Sequence, residues 1–539
     1  MHRLFAIPEL VDLVVESLAD PPSCSERKFL STNASYLDRY AYEDVKAVGQ
    51  TARLFREATL DVIWKTQSSL TPLLRSIADV KVETGARGKQ FRKYELRKYL
   101  CREDVPVLLR YSSRIHTLDM KWPWPATNGG LYIDQHFNNS LSHGPLFPRL
   151  RTLVTSELQA ADPNSGEQFN FVMNNVGMML ERLDIYHLKA HLMVLQYVVR
   201  KAPRLTSLLL DLRVGTHVPH DELTKALNQL LGTQNRLESL HLLTDFDVGS
   251  QLWQIAAEHP SLTTIRLNGT GTLASLRATL PKLTFHVLTK LTLEVASAEF
   301  LSSIKLLSRS TFPSLQSLTL GLSNRLESCP PLTPDEATAL FTAIASSNLT
   351  RTLEDLNIDS GFDDLPPDYP VRSDALRRLR PFPIRYLTLN IGWPFNLNDE
   401  LACEMAEAWP ELEVLRLRST FRDFDPWIDV APHQFPAPVR VTLRGLEVLA
   451  QCCPTLSTLD IPFDGAWHTP QHIPTRSQPA IRSEQGQNTL ITKMGVGQSL
   501  VDSPDEVAAF FNRVFPKLGE VNVLVAQDWE EVRKRLDSS

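Results

Sequence analysis

Gly269-Thr270-Gly271-Thr272-Leu273-Ala274 follows a strand-forming run and is itself followed by Glu294 near the end of the next such run. A Gly-x-Gly turn between strand and helix admits a pyrophosphate to backbone amides, and a later acid holds the ribose. Two histidine pairs, His187 with His191 and His468 with His472, have the four-residue spacing of helical metal ligands. A zinc site takes about three or four convergent ligands, and no cysteine or acid is spaced to complete either pair. Cys452-Cys453 closes a helical pattern before Pro454, where adjacent cysteines read as small buried residues. There is no Gly-x-Ser-x-Gly elbow, Walker loop or His-Glu-x-x-His, the motifs that position a nucleophile, a phosphate or a catalytic zinc. The expectation is a chain that is no enzyme and needs no metal or cofactor, with Gly269 and Gly271 as turn glycines.

Those residues sit inside a repeat. Phe312-Pro313-Ser314-Leu315-Gln316-Ser317-Leu318-Thr319-Leu320 has the frame aromatic or small residue, Pro, any residue, then Leu-x-x-Leu-x-Leu. It returns at Ala202-Pro203, His259-Pro260, Trp409-Pro410 and Cys453-Pro454. Looser copies place the first leucine-type position at Ile115, Leu150, Leu180, Leu205, Leu237, Leu262, Leu288, Leu315, Leu353, Ile384, Leu412, Leu456, Ile491 and Leu518, about fourteen units at a spacing near 31. Helical patterns lie between many of them: Leu192 to Val199, Glu222 to Leu231, Leu252 to Ala257, Phe300 to Leu307, Asp335 to Ala345, Asp399 to Ala408, Leu443 to Ala450 and Glu506 to Phe515. A strand-helix unit of this kind has an apolar face that only the next unit covers. The predicted fold class is α/β, a leucine-rich-repeat solenoid, a horseshoe, over 115–539. Because a strand-turn-helix-strand passage recurs throughout, one copy acquires Gly-x-Gly without any nucleotide to bind.

The totals set the context. A chain of 539 residues exceeds one compact core, while 43% apolar and 22% charged residues are ordinary for a globular protein. The net charge of −6 offers no basic field for nucleic acid. The absence of an apolar leader or membrane-length run, with six cysteines in no framework, points to a reducing cytoplasmic or nuclear compartment and to no membrane. Segment 68–114 reads as a helical linker and N-terminal cap, its basic run Arg87, Lys89, Arg92, Lys93, Arg97, Lys98 as a solvated face. Loops interrupt the rhythm at 123–145, 420–438 and 463–488, and inserted loops on a rigid repeat are where recognition tends to reside. Strand periodicity turns the leucines inward and the residues between them outward. The outward row includes His241, Arg266, Thr292, Thr319, Asn357, Tyr386, Arg416 and Arg418, and Trp427 stands in the aromatic loop. These are the candidate partner-binding residues, in a mixture of charge that suits a protein.

The first 67 residues form a different pattern. Ile7-Pro8-Glu9-Leu10 opens an amphipathic helix with Leu10, Leu13, Val14 and Leu18 on one stripe; after a gap at 19–42, Val45 to Phe55 resumes with Thr51-Ala52-Arg53-Leu54-Phe55 and runs on to Trp64. Ile-Pro-Glu-Leu, the Val…Thr-x-Arg-Leu-Phe helix and the closing Trp resemble an F-box, in the form found at the start of many fungal (basidiomycete-type) leucine-rich proteins. The 19–42 insertion is long for that family, and Gln50-Thr51 replaces its frequent Val-Cys pair. The resemblance implies binding of a Skp-type adaptor and, through it, a cullin scaffold, with the solenoid holding a protein substrate for ubiquitin transfer. It assigns adaptor contact to Ile7, Pro8, Leu10, Leu13, Val14, Leu18, Val45, Val48, Leu54, Phe55 and Trp64. The residues alone leave open a plain interaction scaffold whose helical start only caps the first repeat.

Overall fold

The computed structural model describes residues 15, 46–50, 55–68, 70, 72–73, 76, 83–84, 90–91, 104–120, 145–156, 176–186, 191–212, 219–269, 273, 282–322, 334–347, 352–359, 373–391, 395–418, 441–465, 487–497, 499, 501, 503–523 and 527–537. The chain divides into two compact units, 1–243 and 244–539. In the first, helix α1 (Arg56–Lys65) runs directly into strand β1 (Thr66–Gln67). A short antiparallel pair follows, β2 (Glu83–Thr84) with β3 (Gln90–Phe91), then α2 (Val105–Ser112). After these come β4 (Thr117–Met120), β5 (Thr152–Ser156), β6 (Arg182–Tyr186), α3 (His191–Lys201), β7 (Ser207–Asp211), α4 (His220–Thr233) and β8 (Ser239–Thr244). The long strands form one parallel sheet in the order β1-β4-β5-β6-β7-β8.

The second unit repeats the theme with α5 (Gly249–Glu258), β9 (Thr264–Gly269), β10 (Leu283–Thr284), β11 (Lys290–Val295), α6 (Ser297–Arg309), β12 (Ser310–Thr311) and β13 (Ser317–Leu322). It continues through α7 (Pro334–Ser346), β14 (Asp355–Asp359), α8 (Ser373–Arg377), β15 (Tyr386–Asn390), α9 (Asp399–Ala408), β16 (Val414–Arg418), α10 (Leu443–Cys452) and β17 (Thr458–Asp460). β18 (Lys493–Gly497), α11 (Pro504–Val514), β19 (Glu520–Val523) and α12 (Gln527–Asp537) complete it. Its sheet is parallel in the order β9-β11-β13-β14-β15-β16-β17-β18-β19. Both units are leucine-rich-repeat solenoid.

The repeat phrase has a defined local structure. The residue before Pro closes a helix and opens a β-turn: Trp409 N–H donates to Met405 O, and Leu412 N–H then donates back to Trp409 O at 3.1 Å. Cys453 with Leu456 and Phe515 with Leu518 do the same. Pro at the second turn position has the required φ and needs no donor. Every first leucine-type position named above is buried, and each such side chain is worth about 1.5–3 kcal/mol of transfer free energy. One bond pattern then recurs between neighbours. A single carbonyl accepts two consecutive amides of the next unit, as Gln316 O does from Glu354 and Asp355, both at 2.9 Å.

Helix positions follow the expected ones closely, α9 to the residue and the others within about three positions. Asn398 caps α9 by accepting from Leu401 N–H at 2.9 Å, and Asp399 accepts from Thr442 N–H and Oγ1, both at 2.8 Å, fixing the cap of α10.

The structure also corrects the reading. The sheet starts at β1, ahead of Ile115, because Thr66 and Gln67 pair with Thr117 and Leu118. Segment 68–114 is not helical throughout, since the β2–β3 pair lies within it. Gly269 is no turn residue. It ends β9 at φ +155°, and a Cβ there would lie 1.5 Å from the carbonyl oxygen of Thr244. The glycine exists to let two backbones meet. The short β10–β12 sheet, where Thr311 Oγ1 donates to Thr284 Oγ1 at 2.9 Å, and helix α12 carry no leucine phrase and were not anticipated.

Asn488 joins consecutive repeats at the end of the 463–488 segment. Its side-chain amide donates to Cys453 O (3.3 Å) and Leu456 O (3.0 Å), and its carbonyl accepts from the amides of Leu490 and Ile491 at 2.9 and 3.1 Å. Asn488→Ala should cost about 3 kcal/mol, since it removes four side-chain hydrogen bonds to the backbone, three of them buried, each worth roughly 0.5–1.5 kcal/mol. Gly269→Ala should lose at least about 1–3 kcal/mol to backbone strain alone. Chemical denaturation followed by circular dichroism reads both, and a change under about 0.5 kcal/mol, the scale of an ordinary surface substitution, would contradict these roles.

Candidate binding surfaces

Val15 and Ala58 are buried together at the start of the chain, with Val48, Phe55, Val62 and Ile63 packed on them. Of the residues assigned to adaptor contact, Val48, Phe55 and Trp64 fall within the described residues; Ile7, Pro8, Leu10, Leu13, Val14, Leu18, Val45 and Leu54 lie outside them. Val48 and Phe55 lend part of their surface to this small core. The Trp64 ring lies 4.8 Å from that of Tyr111 at 31°, which attaches α1 to α2. Arg114 strengthens the joint by pairing with both Glu57 and Asp61 of α1. Burial by itself would lower the Arg114 pKa, but the two carboxylates raise it on balance.

The outward residues of the sheets fall into rows because neighbouring strands from β4 to β8 and from β9 to β17 pair without slippage. In the first unit one row reads Asp119, Val154, Asp184, Leu209, His241. Asp119, Asp184 and the nearby Asp211 are buried, and Arg182 Nη2 meets Asp184 at 2.7 Å. In the second unit the corresponding row reads Arg266, Thr292, Thr319, Asn357, Thr388, Arg416, Asp460. His241 therefore belongs to the first unit, and Arg266, Thr292, Thr319, Asn357 and Arg416 share one line in the second. Tyr386 stands two residues before Thr388 on β15; Arg418 ends β16 opposite Asn390. Trp427 lies outside the described residues.

Thr292 departs from expectation, because it is buried. It is flanked in register by Arg266 and Thr319, and the long Arg266 side chain runs beside it to Glu294, 2.7 Å away. Strand alternation alone does not register this sideways cover.

Many outward groups of the second unit bond sideways to the next strand. Ser317 Oγ donates to Asp355 at 2.8 Å and Asn390 Nδ2 to Asp359 at 2.9 Å, while Asn268 donates to Glu294. Tyr386 Oη donates to Glu413 at 2.6 Å, Arg385 pairs with the same carboxylate, and its guanidinium lies 5.9 Å from the Tyr386 ring centroid. The hydrogen bond to Glu413 raises the Tyr386 pKa. Glu413 is held below the usual carboxylate range, first by Tyr386 and then by Arg385. Arg416 Nε, like Arg385 Nε, is buried with no hydrogen-bond partner. Sequence reasoning picked Tyr386 and Arg416 from alternation but missed Arg385, Glu354 and Glu413, whose side chains join across strands.

Cys403, Cys452 and Cys453 take part in no disulfide among the described residues, and burial raises the Cys403 pKa away from reactivity. Among the described residues no three His, Cys, Asp or Glu side chains converge to hold a metal ion, and no helix is long and apolar enough to cross a membrane.

No family model matches the chain, and no curated protein matches it. Among solved structures it is similar to a chain of the Rad7 and Elc1 complex in yeast, at 15% identity over 76% of this chain and 88% of that one, with a TM-score of 0.33. The fold assignment rests on strand register and leucine burial, not on that likeness.

Glu413 gives this surface a pH signature. Its folded pKa is lowered, so the stabilisation it supplies is present above the ordinary carboxylate range and fades as pH falls through the folded value. Tyr386→Phe should move the Glu413 titration back toward the ordinary range in carboxyl-labelled NMR. An unchanged titration would show that Tyr386 does not hold it.

Proposed function

We propose that the chain is a substrate-receptor subunit of a Skp/cullin/F-box-type ubiquitin ligase, with the N-terminal helices taking a Skp-type adaptor and the repeat sheet holding a protein substrate. The observation that carries this reading is the small helical core around Val15 and Ala58, built from the F-box-like segment and fastened to the first repeat. The Trp64–Tyr111 contact and the Arg114 pairs with Glu57 and Asp61 supply the joint. A stiff joint suits such a subunit, since holding a substrate at a set distance from a ubiquitin-loaded enzyme raises its effective concentration without chemistry by the receptor. On this reading the chain is not an enzyme, and it works in the cytoplasm or nucleus. The sideways-bonded face of the second unit fits substrate binding because its polar groups are already oriented, so little side-chain entropy remains to be lost.

A second reading is an interaction scaffold with no ubiquitin role, its helical start serving as a cap. The packing of Val48, Phe55 and Trp64 within the chain favours it.

A pull-down of the intact chain with a Skp-type adaptor separates the two. The receptor reading expects capture that Pro8→Asp with Leu10→Asp abolishes while the circular dichroism spectrum of the repeats is retained. No capture by the intact chain leaves the scaffold.

A further inference from the structure

The outward positions of β13, β14, β15 and β16 form three rows, and the two outer rows are already bonded. In the row nearer the strand starts, Ser317 Oγ donates to Asp355 and Tyr386 Oη to Glu413. In the row nearer the strand ends, Asn390 Nδ2 donates to Asp359. The middle row is Thr319, Asn357, Thr388 and Arg416, each opposite the next in register. All four are partly exposed. Among the described residues, none of these four side chains has a hydrogen-bond or ion-pair partner.

Arg416 marks one end of this open row. Its Nε is buried and meets no acceptor. Arg385 Nε is also without one, but the Arg385 guanidinium is held elsewhere by Glu413. Asp460 follows Arg416 in the row, yet no ion pair joins them. The Asp460 carboxylate lies over Gly495, where a Cβ would collide with it. The corresponding row of the first unit is closed, with Asp119, Val154, Asp184 and Leu209 all buried.

The order of groups along the open row has a chemical meaning. Threonine hydroxyls and an asparagine amide each donate and accept, as a peptide main chain does, whereas arginine only donates. A ligand that matches them is neutral and amphoteric over most of its length and anionic at one end. We propose that Thr319, Asn357, Thr388 and Arg416 bind an extended peptide of a partner protein, its main chain crossing the strands and its carboxylate on Arg416. Three strand spacings of about 4.8 Å separate Thr319 from Arg416, a span that about four extended residues cover. A carboxylate can take Nε and one Nη side by side. A polyanion is a poor match, since one charge in four positions leaves most phosphates without a cation.

This inference rests on the reading that the second unit holds a protein. It does not depend on what the N-terminal helices bind, so a failed adaptor pull-down and a failed peptide titration are separate results.

Arginine-selective NMR of the full chain tests it, with the Arg416 Nε–H signal identified by its loss in Arg416→Gln. Four probes are titrated separately at constant ionic strength. They are acetylated tri-alanyl-aspartate amide, its asparagine counterpart, acetylated tetra-alanine with a free carboxyl end, and sodium acetate. One or both of the acidic peptides should shift the signal with a millimolar dissociation constant, and the asparagine peptide should leave it unmoved. Tighter binding of the aspartate amide assigns the carboxylate to an acidic side chain, and tighter binding of the free acid assigns it to a chain end. Asn357→Ala should weaken the acidic peptide at least about threefold, the loss of one hydrogen bond. No shift with either acidic peptide at about 20 mM, well above a millimolar dissociation constant, would overturn the proposal. So would an equal shift with the asparagine peptide, an affinity for acetate equal to that for the peptides, or an unchanged affinity in Asn357→Ala.

Discussion

A single hydrogen-bond arrangement sets the geometry of this protein: one carbonyl at most strand starts accepts two consecutive amides from the following repeat. It is made by His116 O to Arg151 and Thr152, by Thr263 O to Thr289 and Lys290, and by Thr492 O to Gly519 and Glu520, regardless of how many residues lie between the partners. The strand pairing is therefore kept across connections of very different length. A register slip of one residue would turn a strand's leucines from core to solvent, and this doubled bond, with the buried leucine beside it, opposes the slip where it is made.

Fixed register has a chemical consequence, since equivalent positions line up across strands and their side chains meet laterally. In the second unit that produces bonded pairs such as Ser317 with Asp355 and Tyr386 with Glu413. In the first unit it gathers buried aspartates on the sheet. The same scaffold thus carries two different surfaces, set by which residue types occupy the outward positions.

The ends of the repeats need separate solutions because no neighbour covers them. At the start, α1 leads into the short β1, and Arg114 and Tyr111 fasten it. At the other end α12 is strongly polar in sequence yet buries Trp529 and Val532. Trp529 stacks on Phe511 and meets Phe463 edge-on, and its Nε1 donates to Ser499 O at 2.9 Å. Arg533 Nε donates to Val521 O at 3.0 Å, occupying a carbonyl of the last strand and blunting an edge that would otherwise recruit another chain.

The leucine phrase by itself determined the repeat class, the strand positions and most helices, because period and proline turns are local properties of the chain. Asp399 to Ala408 could be read as a helix with no tertiary information. Tertiary structure decided what depends on neighbours distant in sequence. Thr66–Gln67 became a strand only through β4, Thr292 became buried only beside Arg266, and Gly269 became a point of backbone contact only because Thr244 passes it. The row of Thr319, Asn357, Thr388 and Arg416 belongs to the same class. Its members are up to 97 positions apart (416 − 319) in the chain, and parallel pairing alone makes them neighbours.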